Sequence, residues 1–195
     1  MISTAVACSR STCAVNERAS AMKLIYSIHK YDVFMFTWIN NVSIHATLVR
    51  LCRYVSRTGD GLLYVLLAAW LYWNSGIVDP LLQTMMLAFA IERPVYFVLK
   101  NGFKRHRPQQ ALQNFRSVIT PSDQFSFPSG HTSAACMVAT LVGYFFPPLM
   151  IGLYLWVALV AFSRVILGVH FPTDTMVGAA LGLSSAIFSL DYILL

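Results

Sequence analysis

From Gly61 onward the chain is mostly long apolar runs, broken by short turns and by one polar stretch over 101–129, and this limits what it can fold into. About 20 apolar residues are needed to cross a bilayer as a helix, and an open sheet or irregular segment cannot satisfy its backbone there. Four runs qualify directly: Gly61–Val78, Gly130 to Pro147-Pro148, Leu149–Leu167, and Asp174 to the end. A fifth, Pro80–Lys100, carries Glu92, Arg93 and Pro94 within it. Composition points the same way. The chain is 57% hydrophobic and 11% charged, where a soluble domain has about 45–50% and about 25%. Disorder, a coiled coil and a nucleic-acid-binding surface are thereby excluded. The sequence predicts an all-α fold, an integral membrane helical bundle of five transmembrane helices.

Ahead of these runs, Thr37, Asn41 and His45 fall at steps of four, with Phe34, Trp38 and Val42 beside them. That pattern predicts an amphipathic interfacial helix over 33–49, with a sixth span as the alternative. Residues 1–21 have no continuous apolar core behind a basic start and read as a mobile extension, which leaves 22–195 as one membrane-embedded domain. Cys8, Cys13, Cys52 and Cys136 show no zinc-ligand spacing.

The polar residues that a lipid-embedded chain retains carry the chemistry. They form three clusters: Lys100 to Arg107-Pro108, then Pro128-Ser129-Gly130-His131, and Ser163-Arg164 through His170 to Asp174. With five spans, all three lie at one membrane face. Lys100, Arg107 and Arg164 converge without carboxylates inside the clusters to match them, which suits a multiply charged anion, and guanidinium forks match phosphate oxygens. Ser129 stands at an N-cap, where its hydroxyl and the following N–H groups can face an anion, and Gly130 permits close backbone approach. His170 and Asp174 are four apart, so the carboxylate can hold one ring nitrogen and leave the other nucleophilic. His131, with no carboxylate nearby in sequence, is placed to donate a proton to a leaving oxygen. A metal site is disfavoured by the surrounding cations and the absence of a His-x-x-x-His or Cys pair. Glu92 and Arg93 point about 100° apart on a helix and are expected not to pair. Arg93 would extend the cationic pocket, and Glu92 would support Lys100 or Arg107 from behind.

In order and spacing these clusters resemble the type-2 phosphatidic-acid phosphatase superfamily, whose pattern is Lys-x6-Arg-Pro, Pro-Ser-Gly-His and Ser-Arg-x5-His-x3-Asp. Every element is present across residues 100–174. The resemblance implies a bacterial membrane lipid phosphatase of the undecaprenyl-diphosphate phosphatase or phosphatidylglycerophosphatase B kind. It implies His170 as nucleophile, Asp174 orienting it and His131 as acid. Lys100, Arg107, Ser129, Gly130 and Arg164 would hold the phosphoryl group. No metal or cofactor is expected. The expected partners are the bilayer and a membrane lipid phosphate, with no nucleic acid. The basic residues crowd the active-site face, which by the positive-inside rule is cytoplasmic. The resemblance implies the extracytoplasmic face of the inner membrane. A lipid phosphotransferase and a headgroup binder or transporter are the alternatives. Lys104, Arg105 and His106 are expected to attract anionic headgroups. The 109–127 loop, with Phe115, Arg116, Phe125 and Phe127, is expected to cover the pocket.

Overall fold

The computed structural model describes residues 27–40, 46–112, 115–121 and 123–194. The proposed extension 1–21, with Cys8 and Cys13, lies outside them, as do Asn41 and His45. The described residues are helical, with no strand and one isolated bridge between His106 and Phe125. Residues 27–40 form α1. There follow α2 (Ala46–Thr58), α3 (Gly61–Ser75), α4 (Pro80–Phe103), the single turn α5 (Pro108–Ala111), α6 (Gly130–Phe145), α7 (Met150–Ile166) and α8 (Pro172–Leu194).

The helix limits follow local chemistry. Pro80 opens α4, and the Leu82 N–H donates to Asp79 Oδ1 at 3.0 Å, satisfying a donor the helix leaves free. Gly76 closes α3 at φ 72°, and Gly168 turns the chain at φ 75° just after α7, a conformation glycine adopts without strain.

Among the described residues, three segments are long and apolar enough to cross a membrane: α4, α7 with its preceding turn (Pro147–Ile166), and α8. The remaining two expected spans are shorter. α3 has 15 residues and α6 has 16, roughly 22 and 24 Å at the helical rise. They differ in exposure. α3 presents Leu62, Leu63, Val65, Leu66, Trp70 and Trp73 outward, whereas eleven of the 16 residues of α6 are buried. α6 is the hub of the bundle, packed against α4, α7 and α8. Around it, Leu81, Leu82, Met85 and Ala88 of α4 meet Met137 and Leu141 of α6 and Ala186 and Leu190 of α8. On the other side Ala135, Cys136 and Ala139 pack on Val157 and Val160 of α7. The outer faces of α7 and α8 expose Ile151, Leu155, Leu159, Phe162, Met176 and Phe188, an apolar coat that suits lipid and would associate in water.

Of the helix expected over 33–49, residues 33–40 lie in α1 and 46–49 in α2, while 41–45 lie outside the described residues. The 50–60 segment is helical to Thr58. Its amphipathic helix packs on α7, with Cys52 against Ile166, Leu167 and Val169. α1 is anchored by Phe36, which packs edge-on against Phe115 and Phe171.

The closest helix contact is between α6 and α8. A Cβ at Gly178 would lie 2.4 Å from the Ser129 carbonyl oxygen, and one at Gly182 would lie 2.1 Å from that of Ser133. These two glycines, four apart, let the backbones touch as small-xxx-small pairs do between helices in lipid. The same approach brings the Ser129 N–H to the Asp174 carbonyl at 2.9 Å. Gly182→Val should therefore cost about 1–3 kcal/mol through overpacking, read as a lower unfolding temperature in detergent. Gly152→Val on the outer face of α7, where an added Cβ meets nothing within 4 Å, serves as the control.

Candidate active site

The three polar clusters come together at one end of the bundle. A cavity of about 740 Å³ is lined there by Lys100 at the end of α4, Arg107 before α5, Gly130 and His131 at the start of α6, Arg164 near the end of α7, and His170 in the turn before α8. Its deeper part runs between α3 and α4 past Tyr64, Val65, Met86, Phe89 and Phe97. Val65, Met86 and Phe97 also lie on the exterior, so the polar pocket continues into an apolar groove facing lipid.

His170 is almost wholly buried. Its Nδ1 lies 2.6 Å from the Ser126 carbonyl oxygen. A carbonyl only accepts, so Nδ1 carries the hydrogen and Nε2 keeps its lone pair. Burial pushes the imidazole down to about 4, with the nearby Arg164 adding to the effect against the pull of Asp174, so the ring is neutral at physiological pH. Asp174 is 3.8 Å from Nδ1, beyond hydrogen-bond reach. Its oxygens are engaged elsewhere: one accepts from Arg105 at 2.8 Å and the other from the Phe171 N–H at 2.8 Å. The expectation that Asp174 bonds His170 directly is thus corrected. The carboxylate shapes the 171–174 turn and places negative charge behind the ring, while Ser126 fixes the tautomer.

Arg105, expected as a surface charge, is in fact the partner of that carboxylate. It also pairs with Asp32 of α1 at 2.6 Å and lies over the Phe171 ring at 4.4 Å. Asp32 in turn accepts from the Thr173 N–H at 3.1 Å. An α1 residue thereby supports the start of α8.

His131 was expected to lack a carboxylate, yet its Nε2 lies 2.7 Å from Oδ1 of Asp60 in the α2–α3 turn. Arg164 donates from Nη1 to Ser56 of α2 at 2.7 Å. Its Nε, among the described residues, is the buried side-chain polar atom without a hydrogen-bond partner. Such an atom is costly unless an acceptor meets it. Lys100 and Arg107 both pair with Asp123 of the 123–129 loop segment, and Arg107 also donates to the Val169 carbonyl at 2.7 Å. Tyr96 OH, which also bonds Lys100, lies 3.3 Å from the same carboxylate. Burial works against the charge of Asp123, but the hydrogen bond and charge of Lys100, then those of Arg107, hold it below the ordinary carboxylate range.

Other expected residues are placed differently. Ser129 caps α6 but is fully buried, and its hydroxyl bonds Thr132 at 3.0 Å instead of facing the cavity. Glu92 and Arg93 do pair, through contacts of 2.5 and 2.8 Å, because the long arginine chain folds back over the 100° between them. Glu92 is completely buried and accepts from Ser133 of α6 at 2.6 Å. It supports neither Lys100 nor Arg107. Arg93 does line the cavity. Phe115 packs on Phe36 and against Gly168, and Phe127 packs on Phe103, so neither covers the pocket. Among the described residues no three His, Cys, Asp or Glu side chains come together as a metal would require.

Residues 80–194 match the PAP2 superfamily, and the chain belongs to it. It is 37% identical over 132 residues to phosphatidylglycerophosphatase B of Bacillus subtilis, covering 62% of this chain and 61% of that protein. It is 39% identical over 95 residues to decaprenylphosphoryl-5-phosphoribose phosphatase of Mycobacterium tuberculosis, covering 47% and 50%. The chain thus spans about half to three-fifths of the length of these relatives. Its fold resembles the crystal structure of Aquifex aeolicus LpxE, with TM-score 0.73, 30% identity, and coverage of 81% of this chain and 93% of that one.

Asp123 occupies the cations that an incoming anion would use. Asp123→Asn should tighten binding of inorganic phosphate roughly three- to tenfold, the scale of about 1 kcal/mol for a half-exposed ion pair. Isothermal titration in detergent checks this; an unchanged constant would show that the carboxylate does not compete.

Proposed function

We propose that the protein is a membrane lipid phosphatase that works through a phosphohistidine on His170. The observation that carries this is His170, its Nδ1 committed to the Ser126 carbonyl, in one cavity with Lys100, Arg107, Arg164 and His131. A phosphoryl group placed there meets three cations and the unpartnered Nε of Arg164. His170 Nε2 attacks phosphorus, and the cations stabilise the charge that builds on the equatorial oxygens. His131 protonates the leaving oxygen, and water then hydrolyses the P–N bond. No metal is required by these steps. The apolar groove between α3 and α4 suits the lipid chain.

The substrate class is a lipid phosphate monoester or diphosphate: undecaprenyl diphosphate, phosphatidylglycerophosphate or phosphatidic acid. The names of the similar proteins support a phosphatase acting on membrane lipids. Under this reading α3 and α6 complete five spans, and the site faces the extracytoplasmic side of a bacterial inner membrane. The basic residues that argue for the opposite side include Lys100, Arg105 and Arg107, which are committed to carboxylates within the fold and so say little about topology.

Phosphate release by the purified protein in detergent tests this. Wild type should act on at least one of the three lipids with chelator present, and His170→Ala should lose activity by at least about 10³-fold. Release by the alanine variant would overturn the nucleophile; no release by folded wild type would favour a binder or transferase. The pH profile gives a second check. Protonated His170 cannot attack, so the loss of kcat/KM on acidification should come below the ordinary histidine value of 6.5, near about 4, and be distinct from the loss at higher pH that follows when His131 gives up the proton it must donate.

A further inference from the structure

We propose that Asp60 is a positioning residue that keeps the proton on His131 for delivery to the leaving oxygen. The inference rests on the phosphatase reading above. An acid must be protonated before it acts. His131 sits at the start of α6, where helix N–H groups disfavour a cation, and it shares the cavity with Arg164, Lys100 and Arg107. A negative partner is needed to hold the imidazolium. Asp123 is committed to Lys100 and Arg107. Asp60, 2.7 Å from Nε2, is the carboxylate that meets this need among the described residues.

The local structure shows that Asp60 is placed for this contact. It stands at the N-cap of α3, where an aspartate ordinarily accepts a helix N–H, yet its side chain makes no such bond. The turn that carries it is fixed on both sides. Gly59 is buried against Val160, where a Cβ would come within 3.0 Å of a methyl carbon, and its carbonyl accepts from Tyr64 OH at 3.3 Å. Thr58 Oγ1 accepts from Trp156 Nε1 at 2.7 Å. The Asp60 side chain is 52% exposed. It lies where the main cavity meets a smaller one of about 290 Å³ lined by Arg53, Arg57 and Thr120.

The steps balance. The imidazolium has two N–H groups. Nε2–H stays on Asp60, and the Nδ1 proton passes to the lipid oxygen as its bond to phosphorus breaks with the electron pair. The P–N bond forms at His170. Water then attacks phosphorus, its proton returns to His131, the P–N electrons return to His170, and phosphate leaves.

A leaving group that departs unprotonated does not need this acid. Asp60→Asn should therefore lose at least about tenfold more kcat on an alkyl lipid phosphate than on nitrophenyl phosphate, within the range of general acid catalysis. Asp60→Glu should recover most of the alkyl rate. In a His131→Gln background, Asp60→Asn should add no more than about twofold. Equal losses on both substrates, or a full additional loss in the His131→Gln background, would overturn the proposal and make Asp60 structural. Asp60→Ser is measured in the same way should the Asn variant not run as a single peak on size exclusion. Failure of wild type on both substrates would instead defeat the phosphatase reading.

Discussion

The contact of α6 with α8 is the constraint on which the site depends. Because Gly178 and Gly182 carry no side chain, the two helices meet backbone to backbone, and the Ser129 N–H reaches the Asp174 carbonyl. The segments that carry His131 and His170 are thereby held in one register. Lipid supplies no hydrophobic force between helices, so shape and hydrogen bonds must provide this precision. The central position of α6 follows from the same fact: its small residues let three neighbours close around it.

Charge is arranged by topology more than by sequence proximity. Each cation or histidine of the site meets a polar partner from a distant segment: Asp123 for Lys100 and Arg107, Asp60 for His131, Ser56 for Arg164, Ser126 for His170. Desolvating a charge is expensive, and an unpaired one would not persist at the edge of a membrane. These partners come mostly from turns, which can place a carboxylate or carbonyl without disturbing helix packing.

The apolar runs revealed the helices, since hydropathy is a property of long segments and survives local error. α4, α7 and α8 follow the expected limits within a few residues. α2 was missed because its period is that of a charged, amphipathic helix, and the expected helix stopped within it at residue 49. The cavity residues Lys100, Arg107, His131, Arg164 and His170 were legible from their rarity in an apolar chain. Asp60, Asp123, Ser126 and Asp32 were not, because each lies in a stretch where polar residues are common and no spacing links it to its partner. Nor could residue type show that the Ser129 hydroxyl turns to Thr132, or that Arg93 bends back to Glu92.

The Asp32–Arg105–Asp174 chain bears on what counts as the working unit. The family model matches from residue 80 onward, yet Asp32 and Asp60 both lie ahead of that match and reach into the site. The helices that carry the motifs define the reaction chamber, while its electrostatic lining is drawn partly from α1 and the α2–α3 turn, which carry no motif residue. Two chains could therefore share every motif residue and still differ in proton affinity and rate, through substitutions that a comparison of motifs would pass over.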